Sequence, residues 1–248
     1  MEVEGCMRLR IEISTLAREI PWQSVLMPGR GFCYDLLAKG APELGKRLHD
    51  QGLSPHGLVP FGYSGPVFPT APRRRGAYTA SGRGYVELGS PLPEVIAGWS
   101  VALIGCRLID WGGVALRVHG ISLVEGGDFA SGRARFRTRT PVVMKGSGRD
   151  DSGERITRQA WVLPAEPEFA AYLQNNLCRK AESLGLEPLV QLEQITWVGP
   201  KRSFAVGGGL KPGAAIEVQL TGEPHLLHAL RDWGLGQANA AGFGWVAA

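Results

Sequence analysis

No run in this sequence approaches the ~18 uninterrupted apolar residues of a membrane-spanning helix, which excludes a helical span. The chain opens on Met1-Glu2-Val3-Glu4, without the basic start and apolar stretch of a signal peptide, so a cytoplasmic protein is expected. Its four cysteines, Cys6, Cys33, Cys106 and Cys178, lie far apart with no C-x-x-C pair, and support neither a zinc knuckle nor a disulfide framework. The G-x-S-x-G, H-E-x-x-H and paired-carboxylate signatures are also missing, which removes the common hydrolase and zinc-protease patterns. No metal and no other cofactor is expected. What remains is an ordinary globular balance, 44% hydrophobic and 20% charged, over 248 residues. That length suits one large domain or two of ordinary size and needs no staples to fold.

The net charge of +4 is modest, but it is unevenly placed. Between Arg133 and Arg158 lie seven arginines and Lys145, set against Asp150, Asp151 and Glu154. A second cluster, Arg73-Arg74-Arg75 followed by Arg83, sits in a stretch rich in glycine, proline and serine. Basic clusters on a balanced chain are the footprint expected for phosphate contacts. For the second cluster a solvated surface is an equal reading.

Met7 to Ser14 alternates apolar and polar residues, the pattern of a half-buried strand, with Arg8, Arg10, Glu12 and Ser14 on the polar face. A helical region follows over 31–50, interrupted at Gly40, with Pro42 and Glu43 opening its second part and Gly52 just past its end. Strands are expected over 85–88, 101–109 and 114–124, and between them Pro91 and Pro93 allow only a short helix. In the second half the pattern predicts a strand over 133–140, a helix over 166–184, strands over 189–198 and 216–220, a helix over 224–233 and a closing strand over 242–246. Strand, helix, strand, strand, helix, strand is the ferredoxin-like order. The fold class is therefore α+β, two tandem ferredoxin-like (RRM-like) βαββαβ domains, with 1–126 and 127–248 divided at the turn Gly126-Gly127-Asp128.

On a strand, period two puts Arg133, Arg135, Arg137 and Arg139 on one face. Such a row repels itself, which suggests an anion that neutralises it, and the guanidinium fork suits phosphate. An edge strand protected by charge is the competing reading. The glycine loop from Gly234 through Gly236 and Gly242 to Gly244 leaves a helix and enters a strand, the reverse of a Rossmann or Walker loop. A mononucleotide cofactor is therefore not expected, while a polyanion lying across side-chain-free backbone is. His49 sits about 100° round the helix from Leu48, at the rim of the buried face and in the last turn, where the helix dipole favours imidazolium. Such a group suits proton transfer, although a capping histidine looks the same in sequence. His225 and His228 share a helical face but have no evident third metal ligand.

Three segments together resemble the CRISPR precursor-RNA-processing endoribonucleases of the repeat-associated (RAMP) superfamily. Gly234-Leu-Gly…Gly242-Phe-Gly-Trp-Val resembles that superfamily's C-terminal glycine-rich signature. Phe32-Cys-Tyr-Asp-Leu-Leu…Leu48-His49-Asp-Gln-Gly, then Pro60-Phe-Gly-Tyr-Ser64, is similar to the first helix and following strand. Phe136-Arg-Thr-Arg-Thr-Pro-Val-Val143 resembles the strand opening the second domain. The resemblance implies a metal-independent endoribonuclease that cuts CRISPR repeat RNA into guide RNAs, with His49 at the catalytic histidine and Tyr34 at a tyrosine found in some active sites. The ribose 2′-hydroxyl attacks the adjacent phosphorus, leaving a 2′,3′-cyclic phosphate and a 5′-hydroxyl. His49 is expected as the acid and Tyr34 in positioning or proton exchange. Some relatives carry a lysine where this chain has Val59, so phosphate charge must be met elsewhere, by Lys46, His56 or an arginine. RNA contacts are expected from the four arginines, Lys145 and the loop glycines. Repeat or guide RNA and other CRISPR effector subunits are the implied partners, with no membrane. The alternative is a non-catalytic RAMP subunit that holds guide RNA in a surveillance complex.

Overall fold

The computed structural model describes residues 8–72, 74, 76–146, 161–206 and 209–247. Cys6, Met7, Arg73, Arg75, Arg149, Asp150, Asp151, Glu154, Arg155 and Arg158 lie outside the described residues. The first half runs β1 (Arg8–Ser14), β2 (Glu19–Ile20), α1 (Met27–Gly40), α2 (Pro42–Asp50), β3 (Gly62–Tyr63), β4 (Tyr78–Thr79), β5 (Arg83–Gly89), α3 (Pro93–Leu103), β6 (Leu108–Trp111) and β7 (Val114–Leu123). The second runs β8 (Arg133–Arg137), β9 (Met144–Lys145), β10 (Trp161–Val162), α4 (Phe169–Ser183), β11 (Val190–Val198), β12 (Arg202–Val206), β13 (Gly209–Gly213), β14 (Ile216–Gly222) and α5 (Pro224–Trp233).

The first sheet is ordered β3-β5-β1-β7-β6, and every pairing in it is antiparallel. Leaving aside the edge strand β6, that is second-third-first-fourth, the ferredoxin-like order. The second sheet repeats it as β11-β14-β8. Its fourth place is held by Val246, which makes an isolated bridge to Thr138, with Ala247 N donating to Arg137 O beside it. The chain is two ferredoxin-like domains in tandem.

Two expected elements come out differently. The run 101–109 is not one strand, because Pro93 and Glu94 start a helix whose stripe Val95, Ile96, Trp99 and Leu103 is buried. The strand waits until Leu108. The expected closing strand over 242–246 is reduced to its last bridge, because Asn239–Ala241 form a 3-10 turn and both Gly242 and Gly244 have positive φ.

Leu9, Ile11 and Ile13 face the first core, as alternation predicts. Arg8 does not face water. Its side chain is 0% exposed, because the C-terminal segment covers that end of the sheet. The guanidinium donates to Val246 O at 2.9 Å and to Arg231 O, lies 3.1 Å from Asp232 Oδ1, and stacks 4.0 Å over the Trp245 ring. Glu87 completes the group, 3.9 Å from Arg8, while Arg10 reaches the same carboxylate at 2.5 Å. Burial, then the neighbouring Arg231 charge, lowers the Arg8 pKa to about 10. This buried ionic group joins the two halves.

Candidate functional site

Helices α1 and α2 meet at Ala41 and carry the candidate pair. Gly40 lets α1 lie directly against α3, where a Cβ would run into the Gly98 carbonyl. The Tyr34 and His49 rings are 5.0 Å apart, edge to face at 76°, and Tyr34 also meets Phe61 edge-on at 5.3 Å. His49 has a 60% exposed side chain with Nδ1 3.1 Å from Asp50 Oδ1. The Tyr34 hydroxyl is buried and makes no well-formed hydrogen bond, with the Arg30 guanidinium near enough only for a marginal one. Such a group costs about 1–3 kcal/mol unless something outside the protein satisfies it. Burial pushes its pKa up, opposed in part by the guanidinium of Arg30, which sits 5.8 Å from the ring centroid. A phenol held protonated donates a hydrogen bond; it does not act as a base near neutral pH.

The three proposed sources of positive charge fare differently. Lys46 is exposed on α2, one turn before His49. His56 is engaged by Glu182 of α4, so its imidazole is tied across the seam between the halves. Arg30 was not singled out by the sequence, because nothing in a lone helical arginine reveals that it lies over Tyr34.

Arg133, Arg135, Arg137 and Arg139 all point outward, while Ala134, Phe136, Thr138 and Thr140 are buried. The expected self-repulsion is partly answered within the protein. Glu217, directly across from Arg137 on β14, lies 2.6 Å from Arg135 and 3.9 Å from Arg137. Hydrogen bonds from Arg135 and then Thr196 hold its carboxyl below the usual range. An external anion is therefore not needed to explain this pair. Arg139 reaches the first half instead, 5.9 Å over Tyr85, whose ring also carries Arg10 at 4.4 Å.

Where the halves meet, a cleft of about 420 Å³ is lined by Trp22, Tyr78, Arg137, Arg139, Trp197 and Arg202 among others. Trp22 stacks on Phe204 at 5.1 Å, with Arg202 over its ring at 5.7 Å, and Arg137 sits 4.4 Å over Trp197, which is 38% exposed. Aromatic faces interleaved with guanidiniums suit unpaired bases and their phosphates. Sequence reading missed Trp22, Trp197 and Arg202. Register breaks on β11 leave Trp197 exposed, and no local pattern links it to Trp22, 175 positions away in the chain.

The glycine loop corrects its own reading. Gly234, Gly236, Gly242 and Gly244 all have positive φ, and all are buried. Their missing side chains make room for protein: Gly242 packs on Tyr63, Gly236 on Val142 and Met144, and a Cβ on Gly244 would run into the Leu235 carbonyl. Only Gln237 and Ala238 reach the surface between them, Gln237 Oε1 accepting from Lys145 N at 3.0 Å. The fully buried Nζ of Lys180, whose pKa burial pulls well below the ordinary lysine value, donates to Gly234 O at 2.5 Å and Asn239 Oδ1 at 2.7 Å, holding the loop from beneath. Gly244→Ala is expected to cost about 2–3 kcal/mol from left-handed strain and overpacking. A urea midpoint fall with unchanged affinity for nucleic acid in the folded fraction checks that the loop packs protein.

Among the described residues no group of three or more His, Cys, Asp or Glu is placed to hold a metal. His228 packs on Phe129 at 4.7 Å, while His225 is exposed. No described helix is long and apolar enough to cross a membrane.

The family model described as CRISPR associated protein Cas6, C-terminal, matches residues 125–248. No curated protein matches the chain. Among solved structures, one described as characterization of a Cas6-related gene from Pyrococcus furiosus is 16% identical, covers 98% of each chain and has a TM-score of 0.80. One described as a RAMP protein binding different RNA substrates is 15% identical, with a TM-score of 0.80 over 97% of this chain and 98% of that one. A third, described as CRISPR associated protein Cas6, is 20% identical with a TM-score of 0.75 over 98% of each. At these identities the likeness is one of fold.

Proposed function

Because the chain belongs to the family of CRISPR associated protein Cas6, whose C-terminal model takes in half of it, we propose that it is a metal-independent endoribonuclease for CRISPR repeat RNA. It converts precursor transcripts into guide RNAs, in the cytoplasm of a prokaryote. The single observation that carries the reading is the Tyr34–His49 pair, with rings 5.0 Å apart and a phenol without a well-formed hydrogen bond beside an exposed imidazole. In this reading residues 1–126 hold the cleavage site, and residues 127–248 supply Arg133, Arg137, Arg139 and the aromatic cleft to the RNA.

The 2′-hydroxyl oxygen forms a bond to phosphorus as the bond to the 5′-oxygen breaks. Protonated His49 gives its proton to the leaving 5′-oxygen, while the 2′-hydroxyl proton passes to solvent or a base. Tyr34 donates to a non-bridging phosphate oxygen, which satisfies its hydroxyl only when substrate is bound. Products are a 2′,3′-cyclic phosphate and a 5′-hydroxyl.

Incubating the protein with CRISPR repeat RNA in EDTA and analysing the ends tests this. Cleavage to cyclic phosphate ends at an undiminished rate is expected. Tight binding without cleavage would transfer support to a guide-RNA-holding subunit that works with other CRISPR effector subunits. Cleavage abolished by EDTA would sink the metal-free chemistry.

A further inference from the structure

His56 is held by Glu182, so a phosphate at the Tyr34–His49 pair must meet its charge on other cations. Arg30 stands beside the pair, and two lysines of the second half meet at Trp161. Arg30 lies one turn before Tyr34 on α1, its guanidinium carbon 5.8 Å from that ring's centroid. Lys145 on β9 stands opposite Trp161 on β10, and Lys211 on β13 places its ammonium 5.6 Å over the same indole. Partial burial first, then the charges of Lys145 and Arg30, pulls the Lys211 ammonium below the ordinary lysine value. The three therefore share one electrostatic neighbourhood, although they come from both halves of the chain.

Their lack of counter-ions sets them apart from the paired arginines. Arg8, Arg10, Arg83, Arg135, Arg137 and Arg231 each have a carboxylate within 4.0 Å. Among the described residues Arg30, Lys145 and Lys211 have none. Like charges that gather without an internal anion leave an attractive field for an external one. Two lysines at one aromatic face, with an arginine at a second ring in the same field, suit phosphodiester groups whose neighbouring base or sugar lies on a ring.

We propose that Arg30, Lys145 and Lys211 form a phosphodiester-binding site across the seam, with Arg30 on the phosphate nearest Tyr34 and His49 and the two lysines on an adjacent one. The site rests on the RNA-cleaving reading for its ligand. It adds the residues that carry the backbone into the cleavage site, and explains how the second half contributes there.

The test is fluorescence anisotropy with a CRISPR repeat RNA strand over a series of salt concentrations, alongside single-turnover cleavage at saturating RNA. The proteins are wild type, Arg30→Met, Lys145→Met/Lys211→Met, and Lys39→Met as a control on the exposed end of α1, all checked to melt with the wild type. The double variant should lose about tenfold or more in affinity at low salt. Its slope of log K against log salt should flatten by roughly 1.4–1.8, two contacts at about 0.7–0.9 each. Arg30→Met should flatten the slope by about one contact and also slow cleavage at saturation, with Lys39→Met matching wild type. Slopes unchanged in the double variant, or flattened equally in the control, would overturn the site. Wild-type binding without cleavage would sink the catalytic reading while the slopes still decide the site. A wild type that does not bind the RNA would sink both.

Discussion

Replacing His49 by alanine should slow single-turnover cleavage of repeat RNA by about 10²–10⁴-fold, the range lost when a positioned acid is removed, with RNA affinity nearly unchanged. The separation of rate from affinity follows from the site. The imidazole is 60% exposed at the end of α2, beside Asp50 and the Tyr34 ring, so its removal leaves no unpaired buried charge. A substrate with a sulfur in place of the 5′-bridging oxygen leaves without a proton, and should restore much of the lost rate in His49→Ala alone. Absence of that rescue would remove His49 from the acid role. Tyr34→Phe gives the complementary result. It should slow cleavage by about tenfold, since one donor to the phosphate is lost, yet leave stability equal or higher, because the hydroxyl it removes is buried without a well-formed hydrogen bond. Wild-type rate in His49→Ala would end the catalytic assignment.

Arg8→Ala should be the most destabilising single change in the first strand, at about 3–5 kcal/mol. The guanidinium is wholly buried among Asp232, Glu87 and two backbone carbonyls, and its stem and face pack on Trp245. Alanine leaves the Asp232 and Glu87 carboxylates buried with fewer partners and opens a void at the seam. Burial already raises the Asp232 pKa against the pull of Arg8 and then Arg231. Removing Arg8 takes away the first of those opposing charges and should raise it further, so the variant should take up a proton there on folding. The measurement is a urea midpoint at two pH values. The variant's deficit should shrink as pH falls, since the protonated carboxyl no longer needs the missing charge. A deficit below 1 kcal/mol, or one independent of pH, would contradict the ionic account of the seam.

How far sequence reached depends on how far apart the partners stand. Period two exposes β1, β8 and β14 because each strand's pattern is written in its own residues. The same logic failed for Arg8, whose outward side is covered by residues more than 220 positions later, at Arg231 and Val246. It also failed for the arginine row, because Glu217 lies 82 positions from Arg135. The full length of α3 was hidden by an apolar run that fits either period, and the form of the closing segment by glycines whose positive φ cannot be read from composition. His49 was marked first by its place in the last turn of its helix and then by resemblance, Tyr34 by resemblance alone; the distance between them came from structure. Arg30, Lys211, Trp22 and Trp197 carry no local signature, since what makes each of interest is a neighbour on another element.

The segment from Leu235 to Val246 belongs to both cores: Ala240, Ala241 and Phe243 pack in the first, Leu235 and Val246 in the second. Such sharing ties the halves together at a second place besides the mostly exposed connection over 124–131. A cleft between domains usually opens and closes by hinge motion, but here either movement would tear residues out of one hydrophobic core. The width of the groove is accordingly set before any ligand arrives. A flexible strand entering it bears the whole entropic cost of ordering, while the protein bears little, which favours ligands whose own conformation already fits.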